Sequence, residues 1–103
     1  MSFKNIEIIK NANIYFDGSV TSRTIIFTNG EKKTLGIMMP GEYEFGTDAA
    51  EDMEIMSGKL SVKLPQNDDW IDIVAPSSFH VPANSKFQLK VTDTTDYCCS
   101  FLS

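Results

Sequence analysis

Histidine occurs once in the 103 residues, as His80, and cysteine occurs only as the adjacent pair Cys98 and Cys99. One imidazole cannot build a histidine-rich metal centre within one chain, and no Cys-x-x-Cys spacing is present for zinc. Neighbours on a strand point to opposite faces, so a disulfide between Cys98 and Cys99 would need severe backbone strain; both are expected as reduced thiols. Basic residues are scarce as well: 9 Lys plus Arg stand against 14 Asp plus Glu, a net charge of −5. The scattered cations form no basic face, which argues against nucleic acid as a partner. No apolar run approaches the roughly 20 residues needed to cross a bilayer, and the stretch Leu35 to Met39 stops at Pro40-Gly41. The opening residues Met1 to Glu7 lack the basic start, long apolar run and small-residue cleavage site of a signal peptide. The expectation is a cytoplasmic protein that does not engage a membrane.

What is present is an ordinary globular composition, 42% hydrophobic and 22% charged, with seven Phe, three Tyr and one Trp to anchor a core. Residues 1–103 are expected to form one domain. Turn formers recur at Asp17-Gly18-Ser19, Thr28-Asn29-Gly30, Pro40-Gly41, Ser57-Gly58, Pro65 to Asp69, Ala75 to Ser78, Pro82 to Asn84 and Thr92 to Asp96. The gaps between them are too short for most helices. Within the gaps the period is two: Leu60, Val62 and Leu64 alternate with polar residues, as do Phe87, Leu89 and Val91, and Tyr43, Phe45 and Thr47 share one face. Val20 to Thr28, Lys33 to Met39, Trp70 to Val74 and Tyr97 to Leu102 are β-rich by composition. Thr47 to Met53 is a weak helix candidate, and Asn29-Gly30 predicts a type I′ hairpin between strands ending at Phe27 and starting near Lys33. Eight or nine short strands must hide their edges, so the fold is expected to be all-β, a small jelly-roll barrel.

The spacing resembles that of the cupins, whose first motif places a Glu and a Gly after paired histidines and whose second precedes a further histidine. Here Glu51 and Gly58 keep the interval, Phe45 and Thr47 occupy the paired-histidine positions, and Phe87 the third, after the Pro82-Ala83-Asn84 turn. A wider set of segments, among them Asn13 to Gly18, Gly30 to Gly36, Pro40 to Thr47, Glu51 to Ile55, Val81 to Phe87 and Asp96 to Leu102, resembles the pyrimidine/purine nucleoside phosphorylase family. That resemblance implies an enzyme, a pentosyltransferase of broad specificity. It would cleave purine and pyrimidine nucleosides with inorganic phosphate to free base and ribose 1-phosphate, with no other cofactor and no metal. A homodimer is the expectation at the level of the family.

Phosphorolysis needs an anion site, a flat apolar slot, polar groups for the ribose and stabilisation of an oxocarbenium-like transition state. Tyr43, Phe45 and Phe87 offer faces on which any base can stack, although inward aromatics on strands also serve as core packing. Glu51 and Thr47 are the candidate catalytic residues, and Ser85 a candidate for the ribose hydroxyls. Arg23 and Lys32 are the candidates for phosphate, an Arg fork matching a tetrahedral anion best. His80, between Phe79 and Val81, is expected to face away from the site, and Cys98 and Cys99 are expected as buried small residues rather than nucleophiles. The rival reading is a metal-free cupin that binds a sugar or nucleoside without turning it over.

Overall fold

Short apolar-polar alternation gives strands throughout. The computed structural model describes residues 2–102, with nine strands among them: β1 (Ile6–Ile8), β2 (Asn13–Tyr15), β3 (Val20–Phe27), β4 (Lys32–Met38), β5 (Gly41–Gly46), β6 (Ala50–Lys63), β7 (Ile71–Val74), β8 (Ser77–Val81) and β9 (Lys86–Leu102). One 3-10 turn at Phe16–Gly18 links β2 to β3. Every pairing is antiparallel.

β6 and β9 are much longer than the rest and pair with each other along almost their full length. Their Ala50–Ser57 and Thr95–Leu102 portions carry β8 on one side and β4, β3 and the short β1 and β2 on the other. Their remaining portions, Lys59–Lys63 and Lys86–Val91, carry β7 and β5. The two groups of strands face each other, because Val20, Met38, Ile55 and Tyr97 of the first share one buried cluster with Leu60, Val62, Leu89 and Val91 of the second. This is the jelly-roll barrel expected from the turn spacing.

The change of direction lies at Gly58, where the register of β6 against β9 shifts. Gly58 has φ +101°, and a Cβ there would come within 2.6 Å of the Thr94 carbonyl oxygen and of Thr95 Oγ1. Glycine is therefore needed both for the backbone angle and for the space. Ser57-Gly58 and Thr92 to Asp96, expected as turns between separate strands, are bends inside continuous ones, since the ladder supplies partners that sequence-local turn signals do not register. Thr47 to Met53 is not helical: β6 begins at Ala50, where pairing with Leu102 overrides the weak local preference.

The hairpin at Asn29-Gly30 is present but of a different type. Gly30 has φ +88°, whereas Asn29 is not among the residues of positive φ. The Gly30 N–H donates to the Phe27 carbonyl and the Phe27 N–H to that of Glu31, closing a three-residue loop that ends on a left-handed glycine. The Asn29 Oδ1 accepts from the Glu31 N–H at 3.0 Å, which holds the loop in that form.

Candidate active site

Side chains on one face of a ladder fall into rows. Ser22 lies beside Gly36, Gly36 beside Tyr97 and Tyr97 beside Ile55. The next row toward the barrel mouth is Thr24, Thr34, Cys99 and Met53, and beyond it Phe101 stands beside Glu51. These rows form one wall of a cavity of about 440 Å³, a size suited to a small organic ligand. The opposite wall comes from Phe45 and Gly46 of β5, Asp48 and Ala49 of the following loop, and Phe87 of β9; Tyr15, paired with Val20 one row beyond Ser22, also lines the cavity.

Glu51 is half-buried, and that burial pushes its carboxyl above the usual carboxylate range; the Cys99 thiol, within hydrogen-bonding reach, partly opposes the shift. Cys99 is raised far above an ordinary thiol by burial and by the neighbouring Glu51 carboxylate, with Thr34 at its other side opposing this. A buried thiol beside a carboxylate is a poor nucleophile and a good neutral neighbour. Burial also pushes the Tyr97 hydroxyl up to about 12, against a hydrogen bond from Ser22 that favours the ionised form. Tyr97 therefore carries its proton at any physiological pH.

The rings make a continuous layer. Phe45 and Phe87 stack with centroids 5.8 Å apart at 27°. Tyr15 meets Phe45 edge-on at 6.1 Å, and Phe16 touches Phe45 at 5.4 Å and Tyr43 at 4.9 Å. Phe16 achieves this with a left-handed backbone, φ +51°, which an aromatic residue rarely adopts.

Of the residues expected at the site, Glu51, Phe45 and Phe87 line the cavity, and Tyr43, Thr47, Ser85, Arg23 and Lys32 do not. Tyr43 is buried behind Phe45, and its hydroxyl donates to the Met39 carbonyl at 2.7 Å. Thr47 follows the end of β5 at Gly46, so its alternation with Phe45 is lost. Its Oγ1 donates to the Pro82 carbonyl at 2.7 Å and accepts from the Ser85 N–H at 3.0 Å, pinning two loops together. The Ser85 hydroxyl closes its own turn on the Ala83 carbonyl. Arg23 occupies the outward position between Ser22 and Thr24, where its Nε reaches the Lys10 carbonyl at 3.4 Å. Lys32 shares the inward parity of Thr34 but is exposed at the end of β4. His80 faces outward, its Nδ1 2.8 Å from Asp52 Oδ1.

The sequence reading missed Tyr97, Cys99, Ser22, Thr34 and Tyr15. Two signals pointed to them: hydroxyl groups at period two within β-rich segments, and a glycine, Gly36, in the middle of one. Among the described residues, no group of three or more His, Cys, Asp and Glu side chains is placed to hold a metal ion. No basic side chain lines the cavity.

The fold and cavity define a small cupin-like jelly-roll barrel with aromatic and hydroxyl groups in its lining. A cupin superfamily protein from Desulfitobacterium hafniense superposes with a TM-score of 0.65 at 15% identity, covering 82% of this chain and 78% of that one. The family model for pyrimidine/purine nucleoside phosphorylase matches residues 10–101, and the chain belongs to that family. A relative from Geotalea uraniireducens, named pyrimidine/purine nucleoside phosphorylase, is 64% identical over 97% of this chain and 96% of its own length. One of the same name from a Sulfurovum species is 61% identical over 97% of both. A crystal structure of a protein of unknown function from an Acinetobacter species has a TM-score of 0.94 at 37% identity, covering 98% of each chain.

Proposed function

We propose that the protein is a cytoplasmic nucleoside phosphorylase of broad specificity, transferring ribose from purine and pyrimidine nucleosides to inorganic phosphate. The observation that carries this reading is that the stacked Phe45 and Phe87 share one cavity with the half-buried Glu51. Aromatic faces bind any base, because every base has a π-face. Glu51, held toward its acid form by burial, gives its proton to the leaving base nitrogen as the C1′–N bond breaks. The carboxylate so formed favours positive charge at the anomeric carbon. A phosphate oxygen attacks C1′ from the opposite face as the C1′–N bond breaks, the phosphate ester releases its proton to water, and Glu51 recovers a proton from water. The products are the free base and ribose 1-phosphate.

The reading includes a homodimer. β1 and β2 pair only with β3 and leave a sheet edge on which Ile8 and Ile14 are exposed. One observation favours the rival reading of a binding module without turnover: the cavity lining contains no cation for phosphate. Incubation with uridine, cytidine, adenosine, guanosine, inosine and thymidine, with and without phosphate, separates the two. Phosphate-dependent release of several bases is expected; saturable nucleoside binding with no base released would leave the binding module.

A further inference from the structure

An anion must enter a cavity whose only ionisable carboxyl groups are Glu51 and Asp48 and whose lining offers no Lys or Arg. The donors available to it are neutral, and they are arranged with a direction.

Gly36 lies between Ser22 and Tyr97 in the ladder. A Cβ at Gly36 would come within 2.8 Å of both the ring carbon and the hydroxyl oxygen of Tyr97, and would also strike the Thr21 carbonyl oxygen. The bare glycine is what lets the Tyr97 ring lie across β4 and reach Ser22 on β3. Asn13 Nδ2 donates to Ser22 Oγ at 3.2 Å and to Thr24 Oγ1 at 3.1 Å. With its oxygen already accepting from Asn13, Ser22 lies in the same ladder row as Tyr97 and has its single proton to direct toward the Tyr97 oxygen. The Tyr97 O–H is thereby left free to donate into the cavity. Tyr97 is 6% exposed, so the group it meets there is shielded from water, and its bond to a charged oxygen is correspondingly stronger.

We propose that the inner end of the cavity, at Tyr97, is the phosphate subsite, and that it holds the anion through neutral donors led by the Tyr97 hydroxyl rather than through Arg23 or Lys32. The subsite lies two ladder rows from Glu51, which leaves the single row between, that of Met53 and Cys99, for the ribose and places the base among the rings on the Glu51 side. This inference rests on phosphorolysis as the reaction, and it deepens that reading by assigning the second substrate its place. Asn13, Ser22 and Gly36 act on phosphate only through Tyr97 and are positioning residues.

The test uses Tyr97→Phe, which keeps the ring and deletes the hydroxyl, with Ser22→Ala as a second variant and thermal melting to confirm folding. Inorganic phosphate binding is measured by titration calorimetry, and KM for phosphate and for uridine are measured separately. In Tyr97→Phe, phosphate affinity is expected to fall by about tenfold to a hundredfold, the worth of one hydrogen bond to a charged group. KM for phosphate should rise with it while KM for uridine holds. Ser22→Ala should weaken phosphate in the same direction by less. Unchanged phosphate affinity in a folded Tyr97→Phe, or a loss in Lys32→Gln that Tyr97→Phe does not share, overturns the subsite. If the wild-type protein binds phosphate, loses it in Tyr97→Phe and releases no base from any nucleoside, the subsite stands and the proposed reaction fails. No phosphate binding by the wild-type protein overturns the subsite itself.

Discussion

The two halves of β9 share one strand and one alternation, yet they do different work. From Phe87 to Val91 every second side chain is apolar, and Leu89 and Val91 close on Leu60 and Val62 of β6 in a dry core. From Thr95 to Phe101 the inward series is Thr95, Tyr97, Cys99 and Phe101, with polar heads on three of the four. β6 divides at Gly58 in the same way, with Glu51 and Met53 before it and Leu60 and Val62 after. Sealing one half with hydrocarbon allows the other to keep polar groups in a partly closed cavity at little risk to the fold. Burial is common to both halves. The hydrogen-bonding side chains gather in one of them, and Phe87 at the start of the other lines the same cavity.

Breaking the polar half should cost activity, and breaking the dry half should cost stability. Glu51→Gln removes the proton donor with almost no change in shape, and turnover is expected to fall by about 10²- to 10⁴-fold, the usual contribution of a general acid. Steady-state kinetics with uridine and phosphate check this, and turnover within a few-fold of wild type would end the acid role. Leu89→Ala, at a site 1% exposed, is expected to destabilise the fold by about 2–5 kcal/mol in urea. Activity per folded molecule should persist. Equal loss of kcat in the folded fraction would show that the halves are not separable.

The comparison sharpens with pH. Because burial raises Glu51 in the folded state, the folded protein holds that proton more tightly than the unfolded chain does. Its contribution to stability is fully present below the ordinary carboxylate pKa and is lost as pH rises through the folded value. Thermal melts across that window should show a downward slope that flattens in Glu51→Gln; an identical slope in the variant would place the titration elsewhere. The smallest effect is expected at His80→Gln, where an exposed pair with Asp52 is removed from the outer face. A change of under about 0.5 kcal/mol and unaltered kinetics should follow.

Strand content and the barrel were legible because alternation in segments such as Leu60 to Leu64 and Phe87 to Val91 is a local property. Phe45, Glu51 and Phe87, which retain cupin intervals, line one cavity. Thr47 misleads by the same rule, since alternation predicts its face only while the strand continues, and β5 ends one residue earlier. Tyr97 and Ser22 were out of reach for a different reason. Their meeting depends on the register of β3 against β4 and of β4 against β9, and on the gap at Gly36, a relation among three segments far apart in the chain. The missing cation likewise emerges only once parity and strand ends are known, as Arg23 and Lys32 show.

The position of β9 in the chain has a consequence for synthesis. β4, β5 and β6 leave the ribosome before the strand that pairs with all three, and β5 has no other partner. Until β9 emerges, these strands present bare backbone edges, the kind of surface that recruits chaperones or other nascent chains. Their closure waits on contacts distant in sequence, which makes folding slow for so small a protein. Cys99 and Tyr97 arrive with that final strand, so the cavity and the completed barrel come into being in one step.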